Sequence, residues 1–195
     1  MIKEIVKLEW DFFQKVQNID GRASCQDDFY TFNMQRSAQF KVFYQDVRES
    51  YLNDLKYYKK IGRNPVEEKY ARMMSSNDPK NYEMIKNYLP LLEQSQSDLI
   101  ESIIEIELTM REEMNTKYPK ISSIARKTYA YEDSVEDTSF ETYLRGELST
   151  YSPQTLFLYG QMILDMVRNN KNMIILVLEE TAKMYGYSCL DELNR

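Results

Sequence analysis

Apolar residues recur every three or four positions along most of the chain, the period of an α-helix with one buried face. Over residues 2–17 the stripe is Ile2, Ile5, Val6, Phe12, Phe13 and Val16, and Glu9 fills the gap in it. Ser24-Cys25-Gln26-Asp27 has the form of a capping box and predicts a second helix from about Cys25, opened by Asp27 and Asp28. The apolar face of that helix runs Phe29, Phe32, Arg36, Phe40, Phe43, so a guanidinium sits among aromatic rings. An arginine so placed either snorkels to water or meets a partner. Pairing the two helices antiparallel through the 18–24 loop sets Glu9 opposite Arg36.

Asp46 and Gly62 bracket a third helix with Tyr51, Leu55 and Tyr58 on its inner face. Asn64-Pro65 and Asp78-Pro79 each combine a cap with a first-turn proline and start two more helices, the second ending before Pro90. In the first of these Val66, Tyr70, Met73 and Met74 point inward, while Lys69 and Arg72 read as a solvated face. A polar hinge at 93–97 precedes the longest helix, about 96–117, which Tyr118-Pro119 stops. Residues 119–137 lose the period and read as a long loop with one helical turn near 121–127, offering Arg126, Tyr129 and Tyr131 to a ligand. A capping box at 138–141 restores the pattern, with Phe140, Tyr143, Leu144, Glu147, Leu148 and Tyr151 on one side, so Glu147 is a second carboxylate inside an apolar stripe. Ser152-Pro153 starts a helix with Leu156, Phe157, Tyr159, Ile163, Leu164 and Val167 inward. Asn170 caps the next, whose apolar run at 173–178 is expected to be buried all round, and Gly186 ends it. The expected fold is all-α: a single domain over 1–195, built as a bundle of about eight helices with one long loop near 119–137.

Charge and composition narrow the function classes. A net charge of −6 argues against nucleic acid, whose binders need a cationic footprint, and against acidic lipid surfaces. The longest apolar run is too short to span a bilayer and the N-terminus lacks a signal-peptide pattern, so a cytoplasmic protein is expected. The absence of histidine removes imidazole bases and imidazole-ligated metals. Glu101, Glu105 and Glu112 share a helix face but read as solvated charge, so neither metal nor cofactor is expected. Cys25 and Cys189 are too few and too far apart in sequence for a disulfide framework. Cys25 is a candidate nucleophile, because a helix N-terminus and the nearby Arg22 both favour a thiolate.

Four separated stretches, EWDFFQKVQN (9–18), GRASCQDD (21–28), EKYARMM (68–74) and SFETYLRGELSTYS (139–152), resemble the bacterial family catalogued as domain-of-unknown-function family 4125. The resemblance covers nearly the whole chain. It implies a stand-alone helical bacterial protein and carries over no catalytic residues, since that family has no established activity. The motifs coincide with the places where polar groups enter apolar faces. A lone charge in a core costs several kcal/mol, so these groups are expected to compensate one another in one cluster. The residues support a pocket between helices for a small polar or anionic ligand, with candidates Glu9, Arg22, Cys25, Asp28, Arg36, Tyr143, Arg145 and Glu147. The alternative is a regulatory or scaffold protein that acts through a surface, as a homodimer or in a partner complex, with an aromatic or Met-rich patch around Tyr57, Tyr58, Tyr82 and Tyr88. No reaction is assigned.

Overall fold

Local capping chemistry sets most helix boundaries. The computed structural model describes residues 1–17 and 21–194; residues 18–20 of the 18–24 loop lie outside the described residues. The helices are α1 (Ile2–Phe13), α2 (Phe29–Val42), α3 (Gln45–Ile61), α4 (Pro65–Asn77), α5 (Pro79–Ile85), α6 (Gln94–Lys117), α7 (Pro119–Ile124), α8 (Phe140–Leu148), α9 (Pro153–Arg168), α10 (Met173–Met184) and α11 (Leu190–Leu193). Eight have nine residues or more, and among the described residues there is no strand. Asn64 Oδ1 accepts from the Val66 and Glu67 N–H groups at the start of α4, and Ser152 does the same for Thr155 at the start of α9. Gly62 closes α3 at φ 75°, a conformation that disfavours a Cβ.

The long helices close a ring in which each packs on the next: α1, α2, α10, α6, α9, α3 and back to α1. The pair α4 and α8 bridges the ring from α1 to α6. The core between them contains Phe40, Leu55, Ile100, Met114, Leu156 and Ile163, all essentially excluded from solvent. No helix among the described residues is long and apolar enough to cross a membrane.

Several boundaries differ from the sequence reading. The first helix ends at Phe13 rather than Gln17, because the Gln26 amide donates to the Phe13 and Val16 carbonyls and folds the following chain back onto α1. The second begins at Phe29 rather than Cys25. Gln26 Oε1 accepts from the Ala23 N–H, so residues Ser24–Asp27 form a separate 3-10 turn, and Asp28 caps α2 by accepting from Thr31 N–H at 2.9 Å. Asn170 does not cap α10; it takes φ 52° as Lys171 N–H closes α9 onto Met166 O, and Asn172 accepts from Ile175 instead. Only Met173 and Ile174 of the 173–178 run are buried, because α10 packs on α2 and α6 and leaves its outer side open. Phe157, Leu164 and Val167 likewise lie exposed on the outer face of α9.

The 119–137 segment is less open than its composition suggests. Residues 119–124 form α7, and Lys127 O and Thr128 O accept from the Phe140 and Glu141 N–H groups. Asp133 accepts from Ser76 and Thr142 hydroxyls and from Ser139 N–H, which straps the segment to α4 and α8. Tyr129 and Tyr131 stack on each other at 5.3 Å.

Gly146 sets how closely α8 approaches α4. A Cβ there would meet Met73 Cγ at 2.9 Å and Lys69 O at 3.0 Å. Alanine favours a helix interior over glycine by roughly 0.5–1 kcal/mol, while overpacking costs about 1–3 kcal/mol. Because one neighbour is backbone, Gly146→Ala is expected to lower the melting temperature. A variant as stable as the parent would show that the helices yield freely.

Candidate functional site

Glu9 on α1, Arg36 on α2 and Glu147 on α8 meet in the interior. Arg36 Nε and Nη2 donate to the two oxygens of Glu9 at 2.8 and 2.5 Å, in the fork geometry that suits guanidinium and carboxylate. Its Nη1 donates to Glu147 Oε1 at 3.0 Å and to Gln39 Oε1 at 2.6 Å. All three charged residues are less than a tenth exposed. The Tyr51 hydroxyl, from α3, donates to Glu9 at 2.8 Å, and the Tyr151 hydroxyl lies 3.4 Å from Glu147.

Two carboxylates around one guanidinium leave a negative charge, and Lys69 of α4 compensates it. Its Nζ is 3.5 Å from Glu147 Oε2 and donates to the Tyr143 hydroxyl at 2.8 Å. Lys69 is itself buried, a correction to its reading as part of a solvated face. Two signals were available: it shares the inward side of α4 with Val66 and Met73, and the other three charges do not sum to zero. Burial works against the Glu147 carboxylate, but Arg36 and Lys69 outweigh it and hold its pKa at about 2. Burial also opposes the Arg36 and Lys69 cations, whose carboxylate and phenol neighbours keep both above their ordinary values. Burial, reinforced by Glu9 for Tyr51 and by Glu147 for Tyr151, pushes both phenols well up, so they remain donors.

The cluster forms the inner wall of a cavity of about 290 Å³ that opens between α1, α2, α4 and α8. Phe13, Phe32 and Tyr70 give it an apolar side. Cys25, Asp28 and Arg126 line it as exposed residues. Arg126 stands 4.9 Å from the Tyr143 ring centre, and its only side-chain hydrogen bond among the described residues is from Nη1 to Thr138 O. Of the sequence candidates, Glu9, Cys25, Asp28, Arg36, Tyr143 and Glu147 share this cavity. Arg22 and Arg145 do not line it. Arg22 ties its own loop by donating to Asp27, Gln14 and Gln26 O, and Arg145 forms a fork with Glu101 and a bond to Glu141. Cys25 sits in the 3-10 turn rather than at the start of α2, so the helix-dipole reason for a thiolate there falls away.

Beyond the cavity, Glu107 of α6 is buried and accepts from the Tyr159 hydroxyl at 2.7 Å. Burial pushes its pKa up to about 8; the Tyr159 bond pulls downward and the Glu147 charge adds to the rise. Glu101 is engaged by Arg145 and Glu112 by Tyr129, and no group of three or more potential ligands among the described residues is arranged to hold a metal. Tyr58, read as part of a surface patch, is buried and donates to Thr150 O.

No curated protein and no solved structure matches the chain at a significant level. A family model described as a protein of unknown function (DUF4125) matches residues 1–195, and the chain belongs to that family.

Proposed function

We propose that this chain, as a single helical domain, binds a small anionic molecule in the cavity between α1, α2, α4 and α8. The observation that carries this reading is the asymmetry of the polar groups. Glu9 and Glu147 already accept from several donors, whereas among the described residues Arg126 donates through Nη1 alone and Lys69, with three N–H groups, has only Tyr143 and Glu147 beside it as acceptors. Such a wall favours an acceptor-rich ligand over a cation. The ring side formed by Phe13, Phe32 and Tyr70 suits a flat apolar portion. About 290 Å³ lies just under the roughly 300 to 1,000 Å³ of sites for drug-sized ligands, which suits a small molecule. A small carboxylate or phosphate-bearing metabolite meets these requirements. The exposed free thiols Cys25 and Cys189 accord with a reducing compartment such as the cytoplasm.

Arg126 is the residue to test, because it is exposed and outside the buried cluster. In a screen of small carboxylates and phosphate esters by calorimetry, Arg126→Gln is expected to weaken the best ligand at least tenfold, about 1.4 kcal/mol, with little change in melting temperature. Unaltered affinity in Arg126→Gln, together with unaltered affinity when Thr31→Trp fills the entrance, would place binding elsewhere.

The second reading, action through a protein surface, is favoured by a different observation. Met84, Tyr88 and Leu91 are 65, 87 and 97% exposed, and α5 has no buried residue. Light scattering that shows a dimer dissociated by Tyr88→Ser and Leu91→Ser would select it.

A further inference from the structure

The pair α4 and α8 separates the cavity described above from a second one of about 220 Å³, lined by the opposite side of these helices together with α5, α6 and the segment between them. Arg72 of α4 enters this wall without a carboxylate partner among the described residues. Its one hydrogen bond runs from Nη2 to Pro90 O at 2.6 Å, and its Nε is buried with no acceptor. Burial draws its pKa below the ordinary arginine value, and the charge of Glu68 restores only part of it. A buried N–H without a partner costs about 1–3 kcal/mol, and more when the group is charged. Water would satisfy the N–H but leave the charge only partly compensated. Arg48 and Arg111 also carry an unpartnered buried Nε, but neither lines this cavity.

The rest of the wall supplies further donors. Among the described residues the Tyr82 and Ser97 hydroxyls have no acceptor, and Arg145 keeps Nη1 unengaged after its Nε and Nη2 bind Glu101 and Glu141. Glu101 is the acidic member of the lining, and Arg145 occupies both its oxygens at 2.8 Å. We infer that the cavity at Arg72, Tyr82, Ser97 and Arg145 is a second ligand site, one that takes a tetrahedral oxyanion: phosphate, free or as the phosphoryl group of a small ester. Donors on four separate helices suit an anion with oxygens in several directions better than a planar carboxylate held by one fork. The volume is below that of sites for larger organic ligands, which fits a group of this size.

Isothermal titration of the full chain with sodium phosphate, against chloride at matched ionic strength, tests this directly. Saturable binding is expected in the parent and in Arg126→Gln, whose altered residue lines the other cavity. Arg72→Gln is expected to weaken phosphate at least tenfold. Because Arg72 also holds Pro90 O, Tyr82→Phe serves as a second variant that leaves that bond in place, with an expected loss of several-fold. A parallel titration with glycerol 3-phosphate in Arg126→Gln, where the first cavity is weakened, separates the sources: tighter binding than phosphate assigns the site to a phosphate ester, and exclusion of the ester assigns it to the free ion. Absence of phosphate binding to the parent overturns the proposal. So does binding that neither Arg72→Gln nor Tyr82→Phe weakens, and loss in Arg126→Gln alone would move the anion to the first cavity.

Discussion

Replacing Arg36 with methionine is expected to destabilise the protein by about 3–5 kcal/mol at neutral pH, the usual cost of removing one partner from a buried ion pair. The substitution keeps the stem's apolar contacts, including those near the Phe40 ring, and removes the donor that joins α1, α2 and α8. What remains is Glu9 and Glu147 in the interior with, among the described residues, Lys69 as the buried cation beside Glu147. The pH dependence should change sign as well. In the parent, the folded Glu147 pKa of about 2 lies below the model-compound value of 4.5. Its contribution is therefore fully present above the unfolded pKa and is lost as pH falls through the folded one. In Arg36→Met the Glu147 carboxylate loses the neighbour that does most to hold it ionised, so mild acid should recover stability. Adding Glu9→Gln and Glu147→Gln to Arg36→Met should restore part of the loss at neutral pH. Urea denaturation at several pH values measures all of these, and a loss below about 1 kcal/mol for Arg36→Met would mean that the cluster contributes little.

Glu107→Gln is expected to stabilise the protein, increasingly so toward alkaline pH. The folded carboxyl is raised to about 8 from 4.5, so between these values the native state holds a proton that the unfolded chain has released. Stability is fully present below the unfolded pKa and is lost as pH rises through the folded one. At 1.36 kcal/mol per unit the full shift corresponds to roughly 3–5 kcal/mol. Glutamine removes the ionisation and keeps an oxygen to accept from Tyr159. The parent and variant should thus converge near pH 4 and separate toward pH 8, on the order of the window set by burial. Parallel curves across that window would show that Glu107 ionises freely in the folded state.

Much of the fold was legible along the chain. The period, the Asn64 and Ser152 caps and the Gly62 terminus each act within a few residues, so local chemistry suffices to place them. Misplaced boundaries arose where a long-range or competing bond intervened. Gln26 reaches back to Phe13 and Val16, and this contact stands in place of a helix start at Cys25. Exposure on α9 and α10 does not follow from the period, because an apolar residue is buried only where another helix covers it, as the exposed Phe157, Leu164 and Val167 illustrate.

By itself the sequence determined an all-helical chain with Glu9, Arg36 and Glu147 set into apolar stripes, since helical period and side-chain type are local properties. Tertiary structure alone decided which charges touch. Arg36 and Glu147 are 111 residues apart, Lys69 completes the balance of Glu9, Arg36 and Glu147 from a fourth helix, and Arg22 and Arg145 find partners outside the cavity. Those contacts depend on the order in which α1, α2, α4 and α8 pack and on the close approach at Gly146, neither of which the local period encodes.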